Sequence, residues 1–110
     1  MLAVDVKPMG VTAEQVRQLV QRLPGSVESA HHGHPDFRVN KKIFATLSEA
    51  EDRAALRLTQ LEARALAASR PAAFRLVSDR EPIGWVSVLL AQIDADELSD
   101  LLEEAWKLRT

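Results

Sequence analysis

Three histidines fall within four residues of one stretch, His31, His32 and His34, and Asp36 follows two positions later. In an extended chain His32, His34 and Asp36 lie on one side at i, i+2 and i+4, and two imidazoles with a carboxylate can bind zinc or iron(II). The set is one ligand short of a structural zinc site, and Gly33 and Pro35 interrupt the extended geometry it needs. A second group is spread more widely: Arg38, Arg53, Arg57 and Arg75, each in a strand-like run, and Trp85 in another. Guanidinium forks match phosphate oxygens and an indole face stacks on any base, so this group could hold a nucleic-acid backbone. Catalysis has no comparable constellation. The sequence contains no Gly-x-Ser-x-Gly, P-loop, GxGxxG or HExxH, and Ser, His and Asp occur without triad-like spacing. The expectation is a protein that binds, has no cofactor and is not an enzyme.

The elements that must position these residues are marked by caps and periodicity. Thr12 with Gln15 forms a capping box, Val11 is placed to staple onto Val16, and Val16, Leu19, Val20 and Leu23 form one helical stripe ended by Pro24-Gly25. Val27 to His31 reads as a strand that Gly33 and Pro35 interrupt. Asp36 to Val39 and Lys42 to Leu47 then flank Asn40-Lys41 as arms of a hairpin. A two-residue type I′ turn needs φ > 0 at both positions, which Asn accepts and Lys resists at about 1 kcal/mol. Arg53 to Leu58 alternates again, and Thr59 with Glu62 caps an Ala-rich helix from Gln60 to about Ser69. Phe74 to Val77 and Ile83 to Leu90 are strand-like around a turn at Ser78 to Pro82. Asp94 with Glu97, or else Asp96, caps a last helix, with Ile93 and Leu98 as its staple and Leu98, Leu101, Leu102, Ala105 and Trp106 as its apolar face. Short connections imply antiparallel neighbours. The order predicts an α+β fold, a single mostly antiparallel sheet of about five strands with helices packed on one face, over residues 11–110 behind a lead-in at 1–10.

Alternation assigns the faces. With Asn40-Lys41 as the turn, Phe37 is expected opposite Phe44, and these two join Val39, Leu56, Leu58, Phe74, Leu76, Val86, Val88 and Leu90 in one apolar set. The other face then carries Arg38, Ile43, Ala45, Arg53, Arg57, Arg75, Trp85 and Ser87.

Composition bounds the rest. The chain has 110 residues, 46% hydrophobic and 27% charged, and no cysteine. That is one ordinary globular domain with neither disulfides nor thiolate metal sites, consistent with a reducing cytoplasm. No apolar run approaches the ~20 residues that span a bilayer, so no membrane role is expected. The net charge of −2 conceals segments of −1 (residues 1–37), +4 (38–80) and −5 (81–110). A basic middle followed by an acidic last helix leaves room for one basic face.

Leu23-Pro24-Gly25, His32-Gly33-His34-Pro35-Asp36-Phe37-Arg38-Val39, Lys42-Ile43-Phe44-Ala45, Gly84-Trp85-Val86 and Ala105-Trp106 agree in order and spacing with the MmcQ/YjbR family, which this sequence resembles from about Val11 to Trp106. The resemblance implies a frataxin-like α/β sandwich and, through its likeness to the "double wing" DNA-binding domain of a phage transcription activator, a DNA-binding role for the open sheet face. It supplies no catalytic residues. The hairpin turn in that family often has glycine where Lys41 stands here. The leading expectation is a monomeric module contacting DNA through Arg38, Arg53, Arg57, Arg75 and Trp85. The alternative is a protein-interaction or small-ligand module anchored on Trp85, with the acidic last helix selecting the partner.

Overall fold

The computed structural model describes residues 9–110, so most of the expected lead-in at 1–10 lies outside the described residues. The elements in chain order are α1 (Ala13–Gln21), β1 (Val27–His31), β2 (His34–Val39), β3 (Lys42–Ser48), β4 (Arg53–Thr59), α2 (Gln60–Ser69), β5 (Phe74–Arg80), β6 (Ile83–Leu89), a 3-10 turn at Leu90–Gln92 and α3 (Ala95–Lys107). The fold is α+β, with one antiparallel sheet in the order β1-β2-β3-β4-β6-β5.

The sheet has six strands where about five are expected. His32 and Gly33, at φ +51° and +80°, make a tight turn of their own, so the stretch around them is a hairpin rather than one interrupted strand. β5 also continues through Arg80, which confines the expected Ser78 to Pro82 turn to Glu81 and Pro82.

The caps sit where the sequence places them. Thr12 and Gln15 exchange both bonds of the capping box, at 2.8 and 3.1 Å. The Glu62 amide donates to Thr59 Oγ1 at 3.2 Å and the Glu97 amide to Asp94 Oδ1 at 2.8 Å. Each side-chain oxygen satisfies an amide that the first helical turn leaves without a partner.

All three helices cover one face of the sheet. α2 lies over β5, β6 and the end of β4, α3 lies over β3 and β4, and α1 packs against α3. Between the layers are Phe37, Phe44, Phe74, Leu47, Leu56, Leu58, Val86 and Val88 from the sheet, with Val16, Ala63, Leu98 and Leu102 from the helices. Leu90 joins them from the 3-10 turn rather than from a strand. At the far end of the helical layer, Trp106 Nε1 donates to the Pro24 carbonyl at 2.9 Å, tying α3 to the turn after α1.

The hairpin register is not the expected one. Phe37 stands opposite Ala45, while Arg38 stands opposite Ile43, so Phe44 is an extra residue in β3 and forms a bulge. The bulge turns consecutive side chains inward, and Ala45, expected on the open face, is fully buried beside Phe44. Asn40 and Lys41 do form the primed turn, at φ +52° and +66°. Replacing Lys41 by Gly should therefore stabilise the fold by about 1 kcal/mol, seen as a higher urea midpoint at unchanged slope. A lower midpoint would count against the strain at Lys41.

Candidate nucleic-acid interface

Among the described residues no helix lies over the opposite face of the sheet. Cross-strand pairing arranges its side chains in rows. One row runs Ser29, Asp36, Thr46, Ala55, Ser87 and Arg75 across all six strands. The next contains Val27, Arg38 and Ile43 on β1 to β3, then Arg57, Trp85 and Ser78 on β4, β6 and β5. Arg53, opposite Ser48 and Leu89, stands beyond the first row. The expected arginines and tryptophan thus share one face, and differ in what each side chain does there.

Arg38 is engaged. Its Nε and Nη2 donate to the two carboxylate oxygens of Asp36 at 2.9 and 3.1 Å, and Asp36 is only 1% exposed. This bidentate bond holds the Arg38 pKa above its ordinary value. Arg53 Nη1 donates to Ser87 Oγ at 3.2 Å, a neutral partner, and among the described residues no acid pairs with Arg53. Arg75 is exposed opposite Ser87, and Arg57 is half-buried opposite Trp85. Among the described residues neither Arg57 nor Arg75 pairs with an acid. Burial, and secondly the nearby positive charge of Arg109, lower the Arg57 pKa.

The helical side presents the reverse case. Arg17 bonds Glu28 at 3.0 Å and Glu49 at 2.6 Å, Arg64 bonds Asp79 at 2.7 Å, and Arg70 bonds Glu97. These three arginines of the helical layer are paired with acids, whereas on the open face Arg53, Arg57 and Arg75 bond no acid among the described residues. A shallow hollow of about 180 Å³ lies there, lined by Thr46, Glu51, Arg53, Arg75, Val77 and Ser87 among others.

The histidine set does not assemble as the extended chain suggests. His32 sits at a positive-φ turn position, and the turn takes it out of line with His34. Asp36 is held by Arg38. Among the described residues no three His, Cys, Asp or Glu side chains converge on a common point. Sequence reasoning passed over Arg109, which follows the last helix and whose Nε donates to the Ile43 carbonyl at 3.1 Å. No local pattern pairs residues 66 positions apart.

The YjbR family model matches residues 21–108. The chain belongs to the YjbR family. A crystal structure of the Deinococcus radiodurans protein DR2400, which carries a DUF419 domain, superposes with a TM-score of 0.78 at 23% identity, covering 92% of this chain and 79% of that one. At that identity the likeness establishes the fold. Among curated proteins none matches the chain significantly. In this chain Asp36 and Arg38 of the Pro35-Asp36-Phe37-Arg38 segment form the buried carboxylate clamp of β2, and Gly84 and Trp85 of β6 lie against α2 and on the open face respectively. No helix among the described residues is long and apolar enough to cross a membrane.

Proposed function

We propose that this YjbR protein is a monomeric, cytoplasmic DNA-binding module that grips the phosphate backbone with the open face of its sheet, in the manner of a frataxin-like, double-wing domain. The observation that carries this reading is a difference in pairing: among the described residues Arg53, Arg57 and Arg75 on the uncovered face have no carboxylate partner, whereas Arg17, Arg64 and Arg70 on the helical side are paired. Unpaired guanidinium groups on a surface with one indole suit an anionic polymer with stackable bases. Nothing in this arrangement calls for a reaction, and the module acts by binding.

The test is fluorescence anisotropy with labelled duplex and single-stranded DNA at low salt. With about four phosphate contacts, affinity should fall by about two decades between ~50 and ~200 mM salt. Absence of binding to either form at 50 mM salt, or binding indifferent to salt, would overturn the reading. A protein partner recovered from nuclease-treated extract, and lost when Trp85 is replaced, would point to the interaction-module alternative.

A further inference from the structure

The β3–β4 ladder ends at Ala45 opposite Leu56. Past that pair the bulge in β3 leaves Ile43 and Phe44 with no β4 residue in register, and the two strands part beside Arg57. Arg109 bonds β3 at this opening. Its Nε takes the Ile43 carbonyl at 3.1 Å, and its own carbonyl accepts from Asn40 Nδ2 at 3.4 Å, so the residue is tied to the β2–β3 hairpin at both ends. Anchoring through Nε leaves the two Nη groups of Arg109 available, and among the described residues no acid pairs with them or with Arg57.

Ile43, whose carbonyl Arg109 takes, and Arg57 stand on the two sides of this opening, and the lowered Arg57 pKa has burial as its larger cause and the positive charge of Arg109 as its second. Guanidinium forks match an anion that presents several oxygens. We infer that Arg57 and Arg109 form a two-guanidinium site for a single phosphate group where β3 and β4 part. Trp85 stands opposite Arg57 on β6 and would flank whatever carries that phosphate. The phosphate could belong to a DNA backbone or to a free phosphate, and the inference rests on the open-face reading only for the first source.

Two measurements separate the possibilities. In ¹⁵N-resolved NMR at constant ionic strength, inorganic phosphate and a short oligonucleotide are titrated separately, following the Arg57 and Arg109 Nε–H signals. Saturable shifts of both signals with either titrant support the site, and the titrant that produces them identifies the source. Shifts of neither, or of Arg57 alone, overturn it. If the oligonucleotide binds elsewhere on the open face without moving this pair, the site falls and the DNA reading stands. The second measurement is a cycle of Arg57→Gln, Arg109→Gln and their double variant, each checked for an unchanged denaturation midpoint and read with the active titrant. Two groups sharing one phosphate give about tenfold loss each, with the double variant close to either single one. Independent losses multiplying to about a hundredfold would overturn the inference. Arg109→Lys, which keeps the charge without the fork, should recover only part of the affinity.

Discussion

Gly84→Ala should destabilise the protein by about 3 kcal/mol. A Cβ at Gly84 would lie 2.6 Å from the Ala63 Cβ, 3.0 Å from the Gln60 Cα and 3.1 Å from the Thr59 carbonyl oxygen. None of these atoms belongs to a side chain that can rotate away, so relief requires α2 to lift from β6. Ala63 and Val86 are fully buried there, and lifting the helix would open the core between them. The measurement is the urea midpoint, which should fall at unchanged slope. Ala63→Gly in the same background removes the shortest contact and should restore part of the loss, so the double variant should be less destabilised than the sum of the singles. A loss below about 0.5 kcal/mol for Gly84→Ala would mean that α2 is seated more loosely than the structure has it. The seat also bears on the candidate interface, because the next residue, Trp85, projects from the other side of the same strand.

The second large effect concerns binding. Replacing Arg53, Arg57 and Arg75 together by Gln should lower DNA affinity by at least about two decades at ~50 mM salt and reduce the salt slope by two to three units, about 0.7–0.9 for each phosphate contact removed. Stability should hardly change, since none of the three is paired with an acid among the described residues. Arg64→Gln and Arg70→Gln form the control, because those guanidinium groups are already bonded to Asp79 and Glu97 on the helical side. Equal losses from the control pair and the triple variant would place the binding surface away from the open face.

Much of this fold could be read in the chain because its strongest signals are local. Each N-cap needs only residues three apart, and at Thr12, Thr59 and Asp94 the side-chain oxygen bonds the amide that the spacing implies, although only Thr12 with Gln15 completes the reciprocal capping box. Alternation likewise put Arg38, Arg57, Arg75 and Trp85 on one face. The β3 bulge was hidden because Phe44 and Ala45 are both apolar, and an inward pair of that kind looks the same as ordinary alternation with a small residue on the open side. The engagement of Arg38 could not be inferred from the composition of a face either. Asp36 lies at i−2, on the same side of β2, but its near-complete burial depends on the neighbouring strands. Arg109 was the least legible, since a residue after the last helix reaches the sheet only through the three-dimensional path of α3.

β5 has a consequence of a different kind. It forms one outer margin of the sheet, and its pairing with β6 shifts between Leu76 and Ser78, leaving Val77 as an unpaired extra residue with its side chain 57% exposed. A strand arriving from a second molecule would need evenly spaced amides and carbonyls along that margin, and the irregularity at Val77 breaks the spacing near its middle. The same insertion that adds apolar surface to the open face thus makes the β5 margin a poor template for a second chain.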